Sequence, residues 1–205
     1  MGKIKLTKGE LKRQRDALKQ YLRYLPTLQL KKQQLQIEIL HQVALLDQQK
    51  RDEETKAKAI DSWAGLLSER QIDLKQWARP QKIITSVRNI AGVDIPVFKE
   101  VEFAEADYDL FYAPLWVDSA IIALQGLVST REEISIIEKG ISILKQELRI
   151  TAQRVNLFEK VKIPEAEEGI RIIKIYIGDQ MANAVGRSKV AKNKIETLEL
   201  AEAIL

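Results

Sequence analysis

Reading every seventh residue from Leu11 gives Leu18, Leu25, Lys32, Ile39, Leu46, Glu53, Ile60 and Leu67, and seven of these nine positions hold large aliphatics. Positions three further on add Tyr21, Leu28, Leu35 and Trp63, interrupted by Gln14, Gln42, Gln49 and Lys56; positions four further on add Leu22, Val43, Ala57 and Ala64. A seven-residue apolar period held this long keeps one stripe of a helix turned toward a partner helix. The pattern predicts one helix from about Thr7 to Trp77. Thr7 is a candidate N-cap, with Glu10 three residues on to complete a capping box. Pro26 lies inside this span, where proline removes a hydrogen bond and costs about 3 kcal/mol, so a kink or break is expected near Leu22 to Leu25.

A second periodic segment follows Pro114. Leu127, Ile134, Ile141, Leu148 and Val155 repeat at seven. Ile137, Leu144 and Phe158 stand three residues after three of them, with Thr130 and Thr151 as lapses. Ile121 and Leu124 extend the stripe toward the N-terminus, and Ile163, Ile170, Ile173 and Ile177 carry it onward. Because the period resumes beyond Pro164, that residue is expected to bend the helix, not end it. Gly169, Gly178 and Gly186 weaken the last stretch, each by roughly 1 kcal/mol relative to Ala.

The residues between have a different texture. Ile83 to Arg88 is rich in β-branched residues, Val97 to Phe103 alternates, and Asn89 to Pro96 supplies turn residues, so a small hairpin with its loop at the tip is expected. An acidic and aromatic loop, Glu105 to Trp116, follows with Asp107, Tyr108, Asp109, Phe111 and Tyr112. The expected fold is mainly α: a long antiparallel two-helix coiled coil with a small β-hairpin head between the helices. Residues 1–78 form the first long helix, 79–116 the hairpin and connecting loop, and 117–205 the second. A helix of 60–70 residues is on the order of 100 Å long, so a rod is anticipated. With only 9 glycines and 5 prolines in 205 residues, little else interrupts it.

Catalytic chemistry finds no foothold in these residues. There are no cysteines, which removes disulfides, thiolate metal sites and a thiol nucleophile. Neither G-x-x-x-x-G-K-[ST] nor G-x-G-x-x-G occurs, and no serine stands in G-x-S-x-G. His41 is the single histidine. Three acidic groups stand out: Asp52-Glu53-Glu54, Glu132-Glu133, and Glu165 with Glu167 and Glu168. A two-helix rod offers no cleft to shift their pKa values, so they read as solvated faces. No catalytic, cofactor-binding or metal-ligating residue is assigned. The best apolar stretch, Ala120 to Val128, is too short to span a bilayer, and no apolar leader follows Lys3, Lys5 and Lys8. No direct membrane insertion is expected.

Net charge is +4. Lys8, Lys12, Arg13, Arg15 and Lys19 form one basic group, and Arg187, Lys189, Lys192 and Lys194 another. An antiparallel pair places both at one tip. Phosphate neutralisation would use such a tip, although Tyr21 and Tyr24 are the only aromatics near it for stacking bases. From the residues alone, a protein socket, a stand-alone coiled-coil scaffold and a basic nucleic-acid-binding rod all fit.

Three stretches carry a family resemblance. Arg154-Val155-Asn156-Leu157-Phe158-Glu159-Lys160-Val161-Lys162-Ile163-Pro164 is similar to an R-V-N-A-L-E-x-V-x-I-P run in the D subunit of V-type and archaeal-type ATPases. Ile170 to Ile177 resembles that family's T-I-K-Y-I stretch, and Asn89-Ile90-Ala91-Gly92-Val93-Asp94-Ile95-Pro96 its N-x-x-G-V-x-[IV]-P loop. Leu6-Thr7-Lys8 and Leu28 to Leu35 sit where its opening helix begins and continues. The resemblance implies a non-catalytic central-stalk rotor with no cofactor, coupling ATP hydrolysis or synthesis to proton or sodium translocation. The partners it implies are the catalytic and regulatory subunits of a hexamer, the small F subunit of the stalk, and a funnel subunit above the membrane ring. It implies no nucleic acid, and a cytoplasmic place peripheral to the membrane.

Overall fold

The computed structural model describes residues 5–65, 74–109 and 113–202. Helix α1 spans Lys8–Asp61, a four-residue helix α2 Lys75–Ala78, strands β1 and β2 Pro80–Ile90 and Val93–Phe103, helix α3 Trp116–Leu157, a π-helical turn Phe158–Lys162, and helix α4 Ile163–Glu202. This is the expected mainly helical chain with one hairpin between two long helical runs. Residues 30–152 form one compact unit, and residues 1–29 with 153–205 form another.

In the 30–152 unit, α1 and α3 are antiparallel. Lys31 meets Glu147 at 2.9 Å, Lys50 meets Glu138 at 2.9 Å, and Lys56 donates to the Thr130 hydroxyl at 2.7 Å. Partner numbers fall as α1 numbers rise. The seam is apolar at Leu35, Ile60, Ile134, Ile137, Ile141 and Leu144, all buried. The apparent lapses belong to it. Thr130, Thr151 and Gln42 are buried, and Gln49 donates to Glu133 at 3.1 Å. No buried side-chain polar atom among the described residues lacks a partner. Polar residues in a seam fix register at some cost in stability, which is what Gln42, Gln49 and Lys56, at successive sevenths of α1, are placed to do.

Glu133 bears the cost of that polarity. Burial raises its carboxyl above the ordinary value of 4.5, while Lys56 pulls it down and Asp52 pushes it further up. An acid whose folded-state value is raised resists ionisation in the fold, so stability falls as pH climbs through the carboxylate range. Glu133→Gln is expected to remove that slope. The urea midpoint at neutral pH rises slightly, and the difference from the parent vanishes in acid.

Helix α1 ends at Asp61 and not near Trp77. Ser62 bonds the Ala59 carbonyl through its hydroxyl, and the Trp63 N–H bonds that of Ile60. Trp63 then packs on a cluster of Leu74, Trp77, Val117, Ala120 and Ile121. Burying Trp63 and Trp77 in one cluster requires the chain to leave the helix between them. Tyr108 packs against Trp77 with its ring tilted by 50° and centroids 5.3 Å apart, and bonds Asp118. Leu67, Phe111 and Tyr112 lie outside the described residues.

The hairpin differs from expectation in its turn and its place. The strands run to Ile90 and from Val93, leaving a two-residue turn, Ala91-Gly92, so Asp94 and Pro96 belong to β2. Both turn residues have positive φ, 51° and 77°, the conformation that matches strand twist in the tightest hairpins. Asn89 closes the turn, accepting from the Gly92 N–H at 3.1 Å and donating to Asp94 at 2.6 Å. Alanine in the left-handed region costs roughly 1–2 kcal/mol. Ala91→Asn is therefore expected to raise the melting midpoint, read by circular dichroism.

The tip is not a free head. Val93 and Ile95 are buried with Leu35 and Leu144, and Ile39, Ile90, Ala91 and Leu148 pack around them. The hairpin lies along the helix pair, and a Cβ built on Gly140 would stand 3.9 Å from Ile95. Eleven residues of strand span about 36 Å, as do about 24 residues of helix. That is the reach from Ala120, beside the hairpin base, to Leu144 beneath its tip.

In the other unit, the Thr7 hydroxyl accepts the Glu10 N–H at 3.3 Å, as a capping residue should. Leu11, Gln14, Leu18, Tyr21, Leu25 and Leu28 are the partly buried stripe of α1. Facing residues Val155, Ala166, Ile170 and Ile173 are buried. Pro26 does not break α1, which is helical throughout. Near Pro164 the helical run also continues, through the π-helical turn, where the Ile163 N–H reaches the Phe158 carbonyl. The sequence explains why. Val155 and Ile163 are eight apart, whereas Leu148 to Val155 and Ile163 to Ile170 are seven. One extra residue would rotate the stripe by about 100°; a π turn absorbs it and keeps both halves facing α1.

Candidate interaction surfaces

The residues considered for chemistry are dispersed over helix surfaces. His41 is exposed and lies 3.8 Å from Glu38. Among the acidic groups, Glu53 pairs with Arg131 at 2.7 Å, Glu165 with Lys162 at 3.4 Å, and Glu168 with Arg171 at 2.6 Å. Hydrogen bonding to Arg171 holds the Glu168 carboxyl below its ordinary value. Among the described residues no group of three or more His, Asp or Glu side chains is placed to hold a metal ion. No helix among them is long and apolar enough to cross a membrane.

Three surfaces stand out. The first is the far part of α4. Beyond Ile177 every residue to Thr197 is exposed, including Met181, Val185, Val190 and Ile195, each more than half exposed. Arg187, Lys189, Lys192 and Lys194 alternate with them. The second basic group, Lys8 to Lys19, belongs to the same unit. The apolar residues among these charges follow no single stripe, Val190 standing about 180° around the helix from Met181.

The second surface is a groove on the 30–152 unit of about 580 Å³, lined by Gln33, Gln36, Ile37, Ile39, Leu40 and Leu148. Ile37 and Leu40 are 67% and 71% exposed and, three residues apart, stand side by side on one face of α1. They lie off the seam positions, so a search for one stripe passes over them. The third is a pocket of about 370 Å³ at the hairpin base, where Phe103, Glu105, Tyr108, Asp118 and Ile122 meet.

Known proteins with this pattern are consistent among themselves. The family model for the ATP synthase D subunit matches residues 10–193. The V-type ATP synthase D subunit of Borreliella burgdorferi is 45% identical over 200 residues, covering 95% of this chain and 96% of the relative. The protein of the same name in Chlamydia pneumoniae is 33% identical over 201 residues, with 94% and 93% covered. That of Chlamydia caviae is 32% identical over 197 residues, with 95% of each covered. The match takes in both long helical runs, the hairpin and the π-helical turn: this chain belongs to the D-subunit family of ATP synthases.

Proposed function

We propose that this chain is the non-catalytic central shaft of a V-type rotary ATPase, turned by ATP hydrolysis in a hexamer, or turning it for synthesis, while protons or sodium ions cross the membrane through other subunits. The observation that carries the reading is the far part of α4, a helix with apolar and basic residues exposed on all sides. A surface without one preferred face suits a socket in which the helix turns past several subunits, touching each weakly. The seam supports it too, since two helices sharing one resist twist better than one.

Each of the three surfaces suits a different partner. The basic unit enters the hexamer of catalytic and regulatory subunits. The Ile37–Leu40 groove, apolar and flanked by glutamines, takes the small F subunit of the stalk. The hairpin base faces the funnel subunit above the membrane ring, with the chain on the cytoplasmic side and peripheral to the membrane.

Affinity purification of the tagged chain from its own cells tests this. Recovery of ATPase catalytic subunits with a companion of about 100 residues, the size of a single small domain, is the expected result. Recovery of nucleic acid alone, lost as salt rises, would overturn it. Ile37→Glu with Leu40→Glu should release the companion while moving stability by about 0.5 kcal/mol or less, as exposed substitutions do. Native mass spectrometry of the purified complex reads the loss.

A further inference from the structure

The unit built from residues 1–29 and 153–205 contains two interruptions of its helical hydrogen-bond ladders, one in each helix. In α1, Pro26 has no N–H to give, so the Leu22 carbonyl loses its intrahelical donor. In the opposite run, the ladder opens to i→i−5 bonds over Phe158–Lys162, and Pro164 deprives the Lys160 carbonyl in the same way. The two interruptions are level with each other. The rings of Tyr21 and Phe158 meet with centroids 5.3 Å apart. Phe158 opens the π turn, and Leu22, at the start of the other gap, follows Tyr21 directly.

We propose that these paired interruptions form a compliant joint, at which this helix pair bends and twists more readily than elsewhere. Sharp bends in helices arise at prolines and π turns. In a two-helix seam, one interrupted helix is splinted by an intact neighbour; here both are interrupted at one level, so neither splints the other. Their outer sides face solvent. Leu22, Tyr24, Leu157 and Val161 are each 40% or more exposed. By contrast, the 30–152 unit has Val93 and Ile95 of the hairpin laid over Leu35 and Leu144. The joint is a property of this helix pair whether or not the chain turns inside an assembly.

The eight-residue step from Val155 to Ile163 supplies the variant that tests it. Deleting Lys160, an exposed residue, restores a spacing of seven and permits α-helical bonding in place of the π turn with the seam intact on both sides, leaving only the single bond missing at Pro164. Pro26→Ala fills the other gap. The chain has no cysteines, so spin labels can be attached through Arg154→Cys and Lys174→Cys, both exposed and about 30 Å apart along the helix. In the full-length chain, double electron–electron resonance should give a broad distance distribution, narrowing to about half its width once Lys160 is deleted and Pro26 replaced. Equal widths would overturn the proposal. Should the deletion disturb folding, Pro26→Ala alone serves. Hydrogen exchange at residues 27–30 should then slow about tenfold, and an unchanged rate would equally overturn it. Neither measurement depends on assembly, so a failure here leaves the shaft reading standing, and the reverse.

Discussion

Ile141→Asp unfolds the 30–152 unit at denaturant concentrations the parent tolerates. Ile141 is 6% exposed in the α1–α3 seam, and truncating a buried isoleucine alone costs about 2–5 kcal/mol. A carboxylate adds the cost of leaving a charge in an apolar seam, or of holding it protonated there. Against the roughly 5–15 kcal/mol that separates folded from unfolded states in a domain, the sum removes most of the margin. Urea titration followed by circular dichroism reads it as a large fall in midpoint. Ile141→Val, which keeps the shape and loses one methyl group, should cost about 0.5–1.5 kcal/mol. An unchanged midpoint for the aspartate variant would refute the register in which Ile141 faces α1.

The second large effect lies at the hairpin tip. Leu144 is fully buried and Ile95 is 2% exposed, in one cluster with Leu35 and Val93. Leu144→Ala and Ile95→Ala should each cost about 2–5 kcal/mol. Because the two share a cluster, the double variant should depart from additivity by about 0.5–3 kcal/mol. A separable head would behave otherwise, with Ile95→Ala leaving helix stability untouched and the two losses adding. Trimming Gly92 to Pro96 therefore uncovers Leu35 and Leu144 and loosens the helices beneath. A partner that lifts the tip must replace those contacts with its own.

Much of this architecture is written in the period of the apolar residues. Leu11, Leu18 and Leu25 mark the α1 stripe, and Leu127, Ile134 and Ile141 its counterpart, because a helix partly buried along one side must repeat at that spacing. Thr7 is legible as a cap because its hydroxyl has one obvious use. Pro26 misleads, since the packing of Leu18, Tyr21, Leu25 and Leu28 against the facing helix outweighs one lost hydrogen bond. The π turn is legible in principle, in the single extra residue between Val155 and Ile163. It is hidden by reading each half of the stripe separately. The hairpin tip is another matter. Nothing local to Val93 or Ile95 says they will meet Leu35, about sixty residues before them, and Leu144, about fifty after, because that contact is decided by the length of the strands laid back along the helices. The groove at Ile37 and Leu40 is hidden for a related reason, as a second apolar face becomes visible only once the first has been assigned to the seam.

As the proposed shaft, this chain is expected to turn. Lys99 is exposed on β2, and in a chain without cysteines Lys99→Cys offers one attachment point for a bead. With the assembled ATPase fixed to a surface through its hexamer, ATP should drive sustained rotation of the bead in one direction, stopping when ATP is removed. A bead that only fluctuates about a fixed angle, while the same complexes hydrolyse ATP at an undiminished rate, would contradict the account.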